Sequence, residues 1–369
     1  MKIGIDIREL QAGASTGIGR YLRAFLRYAE ERETEHSFVF YGDRTTHWEG
    51  FGAAQMRRLT AVWPLSDHWE LPQLLASDRI DVFFSPYYKA PWRCPCPYVV
   101  TIHDVMFAHV KERGLLRPLK DALTKTFSAA IAGRAAAVIT VSEFSKGDIV
   151  RVLGIDARKI EVVMNCVPPG FGPPDPTQRN DTLKRHQLSP GFVLYIGSFK
   201  PSKNVGALVE AFAGLDHELR RSHPLVLVGP RNAEYERFSR RWGALAKETG
   251  ARTLSSIGDA ELGALYAACS LCVVPSLYEG FGMPALEAMA CAAPVLAARR
   301  TSLPEVVGDA GELSEPDTAA LRGGMNRLLR NPVRLRELSE RGLARAAKFS
   351  YITNGEAIFS VLKRCGGFR

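Results

Sequence analysis

Residues 167–176 read Val-Pro-Pro-Gly-Phe-Gly-Pro-Pro-Asp-Pro, five prolines and two glycines in ten positions. Proline lacks the N–H that a helix interior or a central strand requires, so neither element can run through this stretch. Strand and helix patterns alternate on both sides of it. Before it, residues 2–7 alternate apolar with small or charged side chains, and the short runs 38–41, 82–84, 98–102 and 137–141 read as strands. After it, 192–197, 225–229, 272–275 and 294–296 do the same. Several runs are apolar throughout, as parallel strands covered on both faces must be. Helical periodicity falls between them, at 115–133 in the first half and at 204–213, 232–249 and 284–291 in the second, and the chain from 318 onward reads as helices. The sequence therefore predicts an α/β protein with the boundary in the proline-rich stretch, one domain over 1–170 and a second over 171–350. A length of 369 residues agrees, because single cores stop growing near roughly 250–300 residues.

Composition removes other classes. Hydrophobic residues at 46%, charged residues at 24% and a mean hydropathy of -0.08 exclude disordered, fibrous and membrane-spanning chains. Forty-eight Lys+Arg against 39 Asp+Glu give +9, a surplus that favours anionic partners such as nucleotide phosphates, membrane headgroups or nucleic acid. The basic residues are spread in short pairs such as Arg220-Arg221 and Arg299-Arg300, which speaks against nucleic acid. The seven cysteines lie mostly in apolar stretches and read as small buried hydrophobes in a reducing compartment; Cys94-Pro-Cys96 and Cys269-x-x-Cys272 lack the second pair that a zinc site needs. Residues 1–6 carry charge too early for a secretory leader, and no uncharged apolar run approaches about 18 residues, so the expected location is cytoplasmic.

In open α/β sheets ligands bind beyond the carboxyl ends of the strands, where glycines admit close approach and helix N-termini point N–H groups at anions. Three places qualify. Residues 13–20, with Gly13, Gly17 and Gly19, form a glycine-bearing loop between strand and helix, either a simple turn or a phosphate cradle. Residues 197–204 (Gly-Ser-Phe-Lys-Pro-Ser-Lys-Asn) end a strand with two lysines three apart; Lys203 offers a point charge for a diphosphate, and Asn204 can cap the next helix. The third is the most informative. A strand ends in Glu279-Gly280-Phe281-Gly282, Pro284 stands where a first-turn proline belongs, and Glu287 falls about one turn inside the helix. The two carboxylates bracket a helix N-terminus, so they can take different hydroxyls of one ligand while backbone N–H groups take its phosphates.

These residues carry a resemblance. Glu279, seven intervening residues, Glu287, then Pro294-Val295 and Ser302-Leu303-Pro304-Glu305 resemble the signature of the retaining GT-B glycosyltransferases of the large glycogen-synthase-like family, and within it the Gly-Ser-x-x-x-Ser-Lys-Asn stretch at 197–204 most resembles bacterial mannosyl- or rhamnosyltransferases. The likeness spans essentially the whole chain, including the glycine loop before Arg20, the strand end at Thr101-Ile-His103-Asp104, the Ser142-Glu143-Phe144-Ser145 segment and Lys203-Asn204. It implies two Rossmann-like αβα domains facing across a cleft, with the acceptor on the first, the nucleotide-sugar donor on the second, and residues 351–369 forming a helix near 351–365 that crosses back to the first. It implies that Glu279 and His103 serve the reacting centre, Glu279 by contacting donor sugar hydroxyls. Glu287 holds the ribose, Lys203 and the backbone at Gly280, Phe281 and Gly282 take the diphosphate, and Gly17 and Gly19 close over it. Ser198 stands where many members carry arginine, leaving Lys200 to substitute for that phosphate contact.

The expected activity is transfer of a sugar, mannose from GDP-mannose as the first choice, to a glycan or lipid-linked acceptor hydroxyl in bacterial surface polysaccharide synthesis. No cofactor and no metal is expected, since Lys203 and helix N-termini meet the phosphate charge and no Asp-x-Asp pair stands at the donor strand ends. Two alternatives stay open: a sugar-nucleotide epimerase of the same fold, and a basic nucleic-acid-binding protein. His103 can also be a core histidine bonded to backbone. Arg113, Arg117, Lys120 and Lys125 form either a solvated helix face or a contact with the inner membrane surface.

Overall fold

The structure, a computed structural model, describes residues 1–11, 16–47, 55–62, 64–109 and 117–367; Gly13 and Arg113 lie outside the described residues. The chain divides into two compact units, Met1–Pro168 with Ser350–Arg369 and Pro169–Phe349. The break falls inside the proline-rich stretch, two residues before the boundary read from the sequence.

The first unit holds β1 (Lys2–Asp6), β2 (Ser37–Gly42), β3 (Gln55–Arg58), β4 (Val82–Ser85), β5 (Tyr98–Thr101), β6 (Ala137–Thr140) and β7 (Ile160–Val162). They form one sheet in the order β3-β2-β1-β4-β5-β6-β7, every pair parallel. The strand order reverses between β1 and β4. Parallel connections require a crossover, and the helices that make it cover both faces. The fully apolar run Val82-Phe83-Phe84 shows the result. Val82 and Phe84 pack with Leu22 and Phe25 on one face, while Phe83 packs with Val39 and Tyr41 on the other.

The second unit repeats the plan with β8 (Val193–Ile196), β9 (Leu225–Val228), β10 (Arg252–Leu254), β11 (Leu271–Val274), β12 (Val295–Ala298) and β13 (Glu312–Ser314), in the order β10-β9-β8-β11-β12-β13 and again all parallel. Its order reverses between β8 and β11. The ends of β8 and β9 come so close that a Cβ on Gly229 would sit 2.1 Å from the carbonyl oxygen of Gly197.

The C-terminal helix Tyr351–Cys365 belongs to the first unit. Ser350 caps it, accepting the Ile352 N–H at 3.1 Å, and Ile358, Phe359 and Leu362 enter the core beside Leu22 and Phe25. Gly355 lets it lie directly on helix Gly17–Arg32, since an added Cβ would stand 2.1 Å from Tyr28 Cγ. Polar ties pin both ends, Tyr351 Oη donating to Glu31 at 2.8 Å and Arg364 pairing with Glu161 at 2.7 Å.

Two readings need correction. Strands β3, β7, β10 and β13 escaped the sequence pattern. All four are edge strands of three or four residues, half solvated and partly polar, as in Gln55-Met-Arg-Arg. The glycines at 17 and 19 are also not loop residues: the helix starts at Gly17, because Thr16 caps it by accepting the Gly19 N–H at 2.9 Å.

Candidate active site

In the second unit the chain leaves β11 and reaches helix Met283–Ala290 through the loop that carries Glu279. Gly282 makes that turn with φ of 110°, and a Cβ there would meet Leu303 Cδ2 at 2.7 Å, so glycine is required on both counts. Pro284 occupies the first helical turn, where no N–H is needed.

Glu279 is 8% exposed. Its Oε1 accepts two hydrogen bonds, from Lys203 Nζ at 2.6 Å and from Ser276 Oγ at 2.8 Å. The backbone around it is held from the β12 end. Thr301 Oγ1 accepts the Glu279 N–H at 3.0 Å, and the buried Ser302 hydroxyl lies 2.9 Å from the Glu279 carbonyl and 2.7 Å from that of Phe281. One hydroxyl proton shared between two carbonyls fixes the distance between the ends of the Glu-Gly-Phe segment.

Lys203 arrives from the other side of the strand-order reversal. It ends the turn Pro201–Lys203 after β8, and Asn204 follows in the left-handed region with φ of 56°. Asn204 does not cap helix Val205–Ala213, as the sequence suggested. Its amide instead donates to Pro275 O at 3.1 Å and Pro316 O at 2.7 Å, while Leu277 N–H donates to Ser202 O at 2.8 Å. These bonds stitch the β8 and β11 ends together, and the Lys203–Glu279 pair is the consequence. Ser198 is half-buried, and its carbonyl accepts from Tyr195 Oη at 2.6 Å. Burial and then the nearby Glu279 carboxylate hold that phenol well above its ordinary range.

Glu287 lies 1% exposed within the helix, and its Oε2 accepts from Tyr266 Oη at 3.1 Å, a phenol on helix Asp259–Ala268. Burial, reinforced by this carboxylate, pushes the Cys291 thiol up to about 12, so it stays neutral. Phe281 is buried with its ring edge-on to Phe349 at 6.0 Å, which leaves its backbone as the part that can face a ligand. The structure thus brings Lys203 onto Glu279 in the loop that continues through Gly280, Phe281 and Gly282 to the helix N-terminus, and sets Glu287 within that helix against Tyr266. Ser276, Thr301, Ser302 and Tyr266 complete the set. Sequence reasoning missed them because single hydroxyls carry no spacing signal, although Ser302 stood inside a quoted motif. Among the described residues no group of three or more His, Cys, Asp or Glu side chains could hold a metal ion.

His103 belongs to the first unit, just past β5. Its Nε2 lies 3.0 Å from Pro86 O, and its ring meets Tyr21 edge-on at 5.0 Å. A carbonyl can only accept, so Nε2 carries the proton and Nδ1 is the open acceptor. Burial pushes the ring's pKa down to about 4, against a smaller upward pull from Pro86, and the imidazole is neutral near pH 7. Below it, Tyr21 Oη and Thr101 Oγ1 are 3.1 Å apart, and Ser145 Oγ donates to His103 O at 3.1 Å. Gly17 and Gly19 sit in the first turn of the helix that brings Tyr21 to this point.

Comparison with known proteins follows the same division. The family model for glycosyl transferases group 1 matches residues 178–345, and that for glycosyltransferase family 4 matches residues 15–171. The chain is 32% identical over 361 residues to the O-antigen chain mannosyltransferase B of Escherichia coli, covering 91% of this chain and 93% of that protein. It is 33% identical over 276 residues to the serotype-specific mannosyltransferase WbdA of Escherichia coli, covering 72% of this chain but only 33% of that longer protein. Among solved structures, sucrose-phosphate synthase from Thermosynechococcus elongatus superposes with a TM-score of 0.78 at 22% identity, covering 99% of this chain and 98% of that one. HepE from Anabaena in complex with UDP and glucose does so with a TM-score of 0.75 at 19% identity, covering 99% and 100%.

Proposed function

Because the chain belongs to the GT-B glycosyltransferases of the glycogen-synthase-like group, we propose that it moves mannose from GDP-mannose to a hydroxyl of a glycan or lipid-linked acceptor, with retention of anomeric configuration and without a metal ion, in bacterial surface polysaccharide synthesis. The observation that carries this reading is the Lys203–Glu279 pair in the loop that leads into helix Met283–Ala290, the helix that carries Glu287. The named activity of the full-length Escherichia coli relative supports the choice of sugar.

In this reading the diphosphate lies at the first-turn N–H groups near Gly282, which the helix leaves without intrahelical acceptors, and Lys203 Nζ turns from Glu279 toward it. Charge that develops on the leaving phosphate meets fixed donors that need no reorganisation. Glu279, released from Lys203 but still held by Ser276, takes hydroxyls of the donor sugar, and Glu287 takes those of the ribose. The acceptor attacks on the face the phosphate leaves, and a phosphate oxygen takes its proton, so Glu279 need not act as a base. His103 enters this reading as a neutral hydrogen-bonding group of the first unit.

We also place the enzyme on the cytoplasmic side of the inner membrane. On helix Arg117–Arg134, Leu119 and Leu123 are 60% and 61% exposed beside Lys120 and Lys125, a pairing of apolar and basic groups that suits an anionic lipid surface. Among the described residues no helix is long and apolar enough to cross a membrane.

The deciding experiment incubates purified protein with GDP-mannose and a mannoside acceptor and reads the product by NMR. An α-mannosidic product, identified by its one-bond C1–H1 coupling, is expected. A β product overturns retention, and consumption of donor with a new free sugar nucleotide in place of transfer would point to epimerisation.

A further inference from the structure

Helix Ala233–Glu248 follows β9 and lends no residue to the site described above, yet one face of it meets the segment that carries Lys203 at two points. Asn232 caps the helix, accepting the Glu234 and Tyr235 N–H groups at 3.1 and 3.2 Å. Tyr235, Phe238 and Trp242 stand at i, i+3 and i+7, so their rings share a side of the helix. The Phe238 and Trp242 rings stack with centroids 5.8 Å apart.

The first point is Phe199, the buried residue between Ser198 and Lys200. Its ring meets Tyr235 edge-on at 5.0 Å and Phe238 at 4.9 Å. The end of β9 closes the same pocket, since a Cβ on Gly229 would stand 2.9 Å from Phe199 Cε2.

The second point is Gly206, in the first turn of helix Val205–Ala213. A Cβ there would stand 2.3 Å from Trp242 Cε2, so the indole lies directly on the backbone. The indole is itself fixed. Its Nε1 donates to Glu210 Oε1 at 2.8 Å, one turn further along the same helix, and the Arg241 guanidinium covers the ring at 4.5 Å. Trp242 is half-buried. An aliphatic side chain could cover the same apolar surface, but it would bring neither a flat ring to a bare backbone nor an N–H to Glu210.

Lys203 lies four residues after the first point and three before the second. A lysine ammonium rides on a flexible four-carbon stem, so its reach depends on where the backbone beneath it is held. A displacement of about 1 Å imposed far from the chemistry is enough to cost on the order of a hundredfold.

Resting on the donor reading above, we infer that Phe199 and Trp242 are positioning residues for donor binding: they grip the segment 199–206 at both ends and so hold Lys203 where its ammonium can pass from Glu279 to the diphosphate.

The test is calorimetry of GDP binding by the full chain. Trp242→Leu should weaken binding by about five- to twentyfold, and Trp242→Phe, which keeps a ring on Gly206, should recover most of the loss. Gly206→Ala displaces the indole from the opposite side and should weaken binding by a similar factor. A double-mutant cycle separates positioning from general loosening: added to Lys203→Ala, Trp242→Leu should change GDP affinity by less than about twofold. Melting curves accompany every variant, and Gly206→Ala takes the place of Trp242→Leu in the cycle if the latter does not fold. Unchanged GDP affinity in a folded Trp242→Leu, or the same loss with and without Lys203, would overturn the inference and leave the donor reading standing. No GDP binding by the wild type would remove the donor reading and this inference with it.

Discussion

Lys203 Nζ and Glu279 Oε1 lie 2.6 Å apart, so the cation expected to meet the donor phosphates and the carboxylate expected to meet the donor sugar neutralise one another. The pair is mostly shielded from solvent, with side-chain exposures of 21% and 9%. Breaking one partner of such a pair leaves the other uncompensated. Binding of a diphosphate therefore competes with an internal contact.

That competition gives two variants with opposite signs. Lys203→Ala should weaken GDP binding by roughly ten- to a hundredfold, the equivalent of about 1.5–3 kcal/mol for a charge-assisted bond. Glu279→Gln should leave GDP affinity unchanged or raise it, because Lys203 is then free for the phosphate, while turnover with GDP-mannose collapses. Calorimetry on both proteins checks this, and weaker GDP binding by Glu279→Gln would contradict the competition.

Glu287→Ala should lower affinity for GDP by a similar ten- to hundredfold, since ribose hydroxyls lose a charged acceptor. Tyr266→Phe removes only the phenol that orients Glu287 at 3.1 Å and should cost less than tenfold. Unchanged GDP binding in Glu287→Ala would take this residue out of the donor site.

His103 supplies a pH prediction. Its pKa of about 4 in the folded protein lies below the ordinary 6.5, so the unfolded chain binds the proton more readily between those values. Its contribution to stability is complete above about pH 6.5 and is lost as pH falls toward about 4. At 1.36 kcal/mol per unit the loss reaches at most about 3 kcal/mol. Melting curves of wild type and His103→Gln from pH 7 to pH 4.5 should converge on acidification. At pH 7.5 the same variant should lower kcat with little change in GDP affinity, and the wild-type kcat/KM profile should show no inflection near 6.5 from this group.

Ser302 has no direct route to a ligand, yet its hydroxyl spans the Glu279 and Phe281 carbonyls. Ser302→Ala should cost about 1–2 kcal/mol of stability for the buried bonds lost. It should also reduce kcat with GDP-mannose, whereas Ser302→Thr, which keeps the hydroxyl, should restore part of both. A variant that melts earlier but turns over normally would make Ser302 purely structural.

Chelation bears on the charge argument. With Lys203 and the helix N-terminus near Gly282 as the counter-charge, activity should survive EDTA and gain less than twofold from magnesium or manganese. Activity abolished by EDTA and restored by either ion would contradict it.

The donor half was readable from sequence because its parts are contiguous and constrained: a strand end, a glycine that must turn at φ 110°, a first-turn proline, and two glutamates eight residues apart within one loop and helix. The partners from elsewhere in the chain were not readable. Nothing in the local pattern says that Asn204 reaches Pro275 and Pro316, or that Arg8 is clasped by Asp67 across 59 residues. Those contacts depend on strand order, which alternation alone does not reveal. The four edge strands were missed for a related reason: a strand wetted on one side has little need for the apolar run that marks a central one.

The course of the chain through the two units also sets an order of assembly. Residues Pro169–Phe349 are continuous and contain their whole sheet, whereas the first unit is completed only by helix Tyr351–Cys365, whose Phe359 and Leu362 fill its core against helix Gly17–Arg32. During synthesis the half that emerges first from the ribosome must wait, with part of its apolar surface uncovered, while the half made later can finish. The usual sequence of N-terminal domain before C-terminal domain is reversed, and chaperone demand should concentrate on the first 168 residues until the helix beyond residue 350 has been made.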